Sequence, residues 1–106
     1  MPKYLVSVSY SAEGAKGLRK DGGTKRRQVA EKAVESLGGK LEAFYFSFGE
    51  HDAVIIVDMP DAASAAALSM AVASTGGARP TTTALITPED MDKAAGKKTA
   101  YKAPGA

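Results

Sequence analysis

His51 is the only histidine of the chain, and it stands between two carboxylates in the run Gly49-Glu50-His51-Asp52. An imidazole flanked by acids suits a general base tuned by its neighbours, or one ligand of a metal ion. Three consecutive residues of an extended turn point in different directions, however, and do not readily converge on one ion. With no second histidine and no cysteine, no metal site is expected. The plainer reading of the segment is structural, because turns are polar for backbone reasons. On that reading Asp52 bonds turn amides and Gly49 supplies a positive φ angle.

Two tyrosines widen the candidate set. Tyr10 ends the first apolar segment and Tyr45 lies in the second. A cleft between a sheet and its helices would bring both near His51, although core tyrosines with one satisfied hydroxyl are the commoner case. His51 and Tyr10 are therefore the catalytic candidates. Tyr45, Glu50, His51, Asp52 and Arg27 are the ligand-binding candidates.

A basic segment, with Lys16, Arg19, Lys20, Lys25, Arg26 and Arg27 among four glycines, invites a phosphate reading. Gly17-Leu18-Arg19-Lys20-Asp21-Gly22-Gly23-Thr24 comes within one residue of a P-loop, but glycine stands at position 23 where lysine must reach the β- and γ-phosphates. Nucleotide hydrolysis is thereby excluded. A looser anion site at the start of the helix from Thr24 stays open, against the plainer reading of a solvated charged surface. No Gly-x-Ser-x-Gly, His-Glu-x-x-His or Gly-x-Gly-x-x-Gly occurs, so serine hydrolases, zincins and dinucleotide enzymes lack support. No cofactor is implied.

The elements that must hold these residues follow from periodicity. Lys3 to Tyr10 alternates with aromatic and β-branched residues, a strand. Ser11 to Gly23 is glycine-rich, with Ser11 able to cap a short helical turn through Leu18. From Thr24 to Leu37 the apolar positions Val29, Ala30, Ala33, Val34 and Leu37 recur at helical spacing, with Lys25, Arg26, Glu31, Lys32 and Glu35 assigned to the outer face. Gly38-Gly39 stops this helix. Leu41 to Phe48 and Ala53 to Met59 form an antiparallel hairpin. Asp61 caps an alanine-rich helix over Ala62 to Ser74, and Gly76-Gly77 ends it. Arg79 to Thr87 reads as a fourth strand. Thr87-Pro88-Glu89-Asp90 starts a short last helix that fades by Gly96.

The order β-α-β-β-α-β predicts a ferredoxin-like α+β fold: a four-stranded antiparallel sheet, two helices on one face, and a short C-terminal helix. One domain over residues 1–96 fits the length of 106 residues, with a disordered basic tail over 97–106. The hairpin is apolar on both sides. Strict alternation puts Phe44, Phe46 and Phe48 with Glu42 on one face, and Leu41, Ala43 and Tyr45 on the other. Helices cover one face only, so the second is expected to pack on another copy, as a homodimer or higher oligomer.

Charge is unevenly placed. Residues 1–27 hold seven Lys/Arg against two acids, residues 28–92 three against ten, and residues 93–106 four against none. An acidic body between basic ends disfavours nucleic acid. Aromatics among the basic residues are also wanting, since Tyr101 is the only such neighbour. The chain lacks a signal-like start and any apolar run near the ~20 residues of a membrane span. Together with the absence of cysteine, this suggests a cytoplasmic protein.

The run Leu37-Gly38-Gly39-Lys40, then Tyr45, Gly49-Glu50-His51-Asp52, an apolar strand and Pro60-Asp61 resembles the GYD domain family, small bacterial proteins named for a Gly-x-Tyr-Asp turn. The likeness runs over roughly residues 3–92, through the alanine-rich helix and the threonine-rich last strand. His51 takes the place of the usual tyrosine, so a role tied to that phenolic hydroxyl has no residue to rest on. The resemblance implies a ferredoxin-like fold of the dimeric-barrel type and no particular reaction. The leading expectation is a non-enzymatic homo-oligomer that binds a small ligand in a cleft near the 49–52 turn. The alternatives are a dimeric-barrel enzyme moving a proton on a small organic substrate, and an anion or RNA binder using the basic ends.

Overall fold

The computed structural model describes all 106 residues. Eight elements follow one another: β1 (Lys3–Tyr10), α1 (Ala12–Asp21), α2 (Gly23–Ser36), β2 (Lys40–Phe46), β3 (Ala53–Asp58), α3 (Ala62–Ser74), β4 (Ala78–Leu85) and α4 (Pro88–Ala95). The strands form one antiparallel sheet in the order β2-β3-β1-β4. This is the ferredoxin-like arrangement expected from the element order, with α1–α2 and α3 carrying the chain between strands that are not neighbours.

The glycine-rich segment after β1 is more regular than its composition suggests. Ser11 caps it through Gly14 N–H at 3.1 Å, and the helix runs past Leu18 to Asp21. Gly22, at φ 84°, breaks this helix from α2, a backbone angle that a residue with a Cβ rarely adopts. Helices α2 and α3 lie on the sheet as expected, and α1 is an additional helix that packs beside α2 at the end of β1. Gly38 and Gly76 end α2 and α3 as expected, whereas Gly49 has no positive φ. The tight turn inferred for it is a wider loop held by side chains. Asp61 accepts from Ser64 N–H at 2.7 Å, and Thr87 from Asp90 N–H at 3.0 Å. Both caps expected from the sequence are in place.

The core joins Val6 and Val8 of β1, Ala53 and Val57 of β3, Val34 of α2, and Ala65 and Leu68 of α3, with Met59 just past β3. Gly39 lets the start of β2 lie against Met59: a Cβ there would come within 2.6 Å of both Asp58 O and Met59 Sδ.

One register shift corrects the alternation expected for β2. Leu41 pairs with Val57 and Ala43 with Ile56, so Glu42 is the extra residue of a bulge. Leu41 thereby turns inward and packs on the core with Phe44, and does not join Tyr45 on the outer face. Glu42 is displaced from the Phe44–Phe46 side and reaches Lys3 Nζ at 3.0 Å; Asp58 meets the same ammonium at 2.8 Å. These two carboxylates hold the Lys3 pKa above its ordinary value, Asp58 contributing more.

No helix covers the outer face of the sheet. Strand register places Leu5, Val54, Ile56, Ala43 and Tyr45 at its centre, with Ser7, Thr81 and Thr83 toward β4. The face is apolar over β2 and β3 and hydroxylic over β4. Its central residues are half-buried, apart from Tyr45, which is 71% exposed. Helix α4 packs closely on none of the other elements, and Ile86, Met91 and Tyr101 are exposed. With α4 and residues 97–106 projecting, the chain measures 56 × 33 × 22 Å and its radius of gyration is 16.8 Å, against about 13 Å for a compact domain of this length. Residues 97–106 hold no helix or strand, and no helix is long and apolar enough to cross a membrane.

Candidate functional site

The inner face of the sheet is incompletely covered and carries an apolar cavity. Helices α2 and α3 lie on β2 and β4 respectively without closing over the sheet between them. The gap is a cavity of about 120 Å³, floored by Val6, Val8, Ile55 and Val57. Its walls are the α2 stripe Val29, Ala30, Ala33 and Val34, and the α3 stripe Leu68, Ser69 and Val72. Both stripes follow helical spacing, and alanine at positions 30 and 33 leaves the space unfilled. Toward α1 the cavity opens into a recess of about 400 Å³ bounded by Gly14, Gly17, Leu18 and Gly77. Gly14 approaches the Gly77 backbone so closely that a Cβ would meet Gly77 O at 1.8 Å. That contact places α1 as the outer wall.

Arg26 is the only charged residue lining the cavity and its recess. It precedes Val29 by three and Ala30 by four, which puts it on the same stripe of α2, not on the outer face assigned from the sequence. Its side chain is 37% exposed, and its nearest carboxylate, Asp21, is 4.0 Å away, too long for a hydrogen bond. Asp21 also faces Lys25 at 3.7 Å. Arg27, the residue selected from the sequence, is exposed and lines none of these spaces. The signal that separates the two is the helical phase: extending the apolar stripe one turn backward lands on 26.

The remaining candidates divide between the two faces. Tyr10 borders the cavity, the recess and a third concavity near the β2–β3 loop, which Phe46, Phe48 and Asp52 also line. Asp52 is a clamp: its Oδ2 accepts from Tyr10 N–H at 2.8 Å, its own amide donates to Val8 O at 2.8 Å, and its carbonyl accepts from Ser47 N–H at 2.9 Å. It bonds backbone amides as expected, though the one its carboxylate serves belongs to β1 and not to the turn. Ser47 Oγ donates to His51 O at 2.6 Å, tying the loop to itself. The His51 ring turns the other way: its Nδ1 lies 3.4 Å from Ser9 Oγ, on the outer face with Tyr45. Glu50 is exposed at the loop and lines none of the three concavities.

Tyr10 and His51 thus point to opposite sides of the sheet, and the five ligand-binding candidates do not share one cleft. Tyr10 and Asp52 lie on the helix side; Tyr45 and His51 lie on the open side. No group of three or more His, Asp or Glu side chains gathers in a geometry that could hold a metal ion.

Sheet order, helix placement and the half-filled inner face define a ferredoxin-like α+β fold with a concave apolar site. The chain belongs to the GYD domain family, whose pattern matches residues 4–95. No curated protein and no solved structure matches the chain significantly.

Proposed function

We propose that this domain is a self-associating, non-catalytic protein that holds a small molecule in the cleft between its sheet and its helices. One observation carries the reading: the sheet is apolar on both faces, and the chain's own helices complete neither. On the inner side α2 and α3 stand apart over Val6, Val8, Ile55 and Val57. On the outer side Leu5, Val54 and Ile56, half-buried, and the exposed Tyr45 are covered by no helix of the same chain. Exposed apolar groups this close together are typical of ligand and subunit surfaces.

The outer face suits a second copy. Four strands about 4.8 Å apart, each up to eight residues long at about 3.3 Å per residue, present roughly 500 Å². Two such faces would bury roughly 1,000 Å², short of the ~1,600 Å² of a typical specific pair. The projecting arm supplies the rest: Ile86 and Met91 are exposed on it, and Phe48, 105% exposed at the tip of the β2–β3 loop, lies at the sheet's other end. Four lysines after residue 92 complement a body with seven net negative charges over residues 28–92.

His51 and Tyr10 face opposite sides of the sheet, so an enzyme moving a proton would rest on one of them alone. Size-exclusion chromatography with light scattering tests the association. A dimer or larger species is expected at micromolar concentration, reduced to monomer by Ile56→Lys at the centre of the open face. A monomeric wild type would refute this half of the proposal. Substituting His51→Ala, on the opposite side of the sheet from the cleft, should leave ligand binding as it was.

A further inference from the structure

The cleft is specific about charge as well as shape. We infer that its ligand is a small monoanion with a compact apolar body, an aromatic or branched-chain carboxylate, whose acid group is held by Arg26. This deepens the proposed cleft function and rests on it. The inner cavity of about 120 Å³ is lined almost wholly by aliphatic and aromatic side chains. An apolar cavity of about 150 Å³ stays dry and admits benzene, so a ring or a branched alkyl group is the size that fits, and a long chain is not.

At the mouth, where the cavity meets the 400 Å³ recess, Arg26 is the one charge in both linings. Its guanidinium offers five N–H donors, and its nearest carboxylate stands off at 4.0 Å. Asp21 has Lys25 as well, so a ligand acid can take Arg26 without stranding a bare carboxylate. A planar carboxylate matches the donor fork in a bidentate manner. A dianion would leave charge over Val29, Leu68 and Val72. A neutral molecule would leave the half-withdrawn guanidinium unmatched.

The test uses the full chain and two probes of equal shape, 4-methylbenzoate and uncharged 4-methylbenzamide, titrated by calorimetry and by NMR of the Val and Leu methyls. The benzoate should bind, shift Val6, Val72 and Leu68, and exceed the amide by about tenfold or more, the worth of one charge-assisted hydrogen bond. Arg26→Gln should remove that advantage and leave the amide unchanged, while Arg27→Gln, exposed and outside the lining, should change either affinity less than about twofold. Ala33→Leu, which fills the cavity from α2, should abolish both.

If neither probe binds, the cleft function itself falls. If both bind equally and Arg26→Gln is silent, the cleft stands and the anion class is wrong. Equal losses from Arg26→Gln and Arg27→Gln would assign the effect to general surface charge and overturn the role of Arg26. Binding that appears only as the protein is diluted would mean that a second copy occupies the cleft, and would overturn the inference too.

Discussion

Alanine at position 14 and alanine at position 17 should have opposite effects, although both replace glycine in the same helix. In a helix interior, glycine to alanine normally stabilises by about 1 kcal/mol, by restricting the unfolded chain. At Gly17 nothing lies within 4 Å of the new Cβ, so Gly17→Ala should realise that gain. At Gly14 the Cβ would sit 1.8 Å from Gly77 O and 2.8 Å from Gly77 C, whereas real Cβ atoms essentially never approach closer than 3.0 Å. The obstacle is backbone, so no side chain can rotate away. Gly77 O also accepts from Ser11 N–H at 3.0 Å, and retreat would strain or break that bond at about 1 kcal/mol. Overpacking of this kind typically costs about 1–3 kcal/mol, which outweighs the helix gain. A net loss of about 1–3 kcal/mol follows, or a melting point lower by roughly 4–12 °C for a domain of this size. Gly17→Ala should rise by roughly 4 °C. Thermal and urea unfolding followed by circular dichroism measure both. Equal or increased stability of Gly14→Ala would refute the close approach of α1 to the turn at Gly77 that precedes β4, and with it the outer wall of the recess.

Other substitutions probe the supports of the site. Asp52→Ala removes the acceptor of Tyr10 N–H and should destabilise by about 1–3 kcal/mol in urea titrations, with amide exchange accelerating first at Val8, Tyr10 and Asp52. Met59→Ala, at a fully buried position, should cost about 2–5 kcal/mol by the same assay. Hydrogen bonds from the Ser64 amide and side chain hold the Asp61 carboxyl below its usual pKa of 3.8, so its contribution is complete above that value and fades as pH falls through the lowered one. The advantage of the wild type over Asp61→Ala should therefore be constant near neutrality and shrink in acid. An advantage that grows on acidification would invert the sign and remove the cap from the explanation.

How much was legible in advance depended on how local the cause was. Strand alternation in Lys3–Tyr10, the caps Ser11, Asp61 and Thr87, and the glycine stops at 38 and 76 arise from neighbouring residues, and all were readable from the chain. So was the family, which rests on the same local patterns. The bulge at Glu42 was not, because it is a register between two strands, and a one-residue slip moves Leu41 from one face to the other. Gly49 was misjudged for a related reason: its loop is shaped by Asp52 and Ser47 bonding across it, not by its own backbone.

The site shows the same division. Periodicity alone determined that α2 buries an apolar stripe, and even the phase that singles out Arg26 over Arg27 was present in the spacing; α3, apolar nearly all round, left its buried face to the tertiary structure. Only the tertiary structure decided that the two stripes stand apart over the sheet, because the gap depends on strand order and on alanines at 30 and 33 having no partner opposite. It also decided that Tyr10 and His51 face away from each other. Their separation in sequence carries no information about which side of the sheet a loop residue turns to, and that side is set by where β3 pairs with β1.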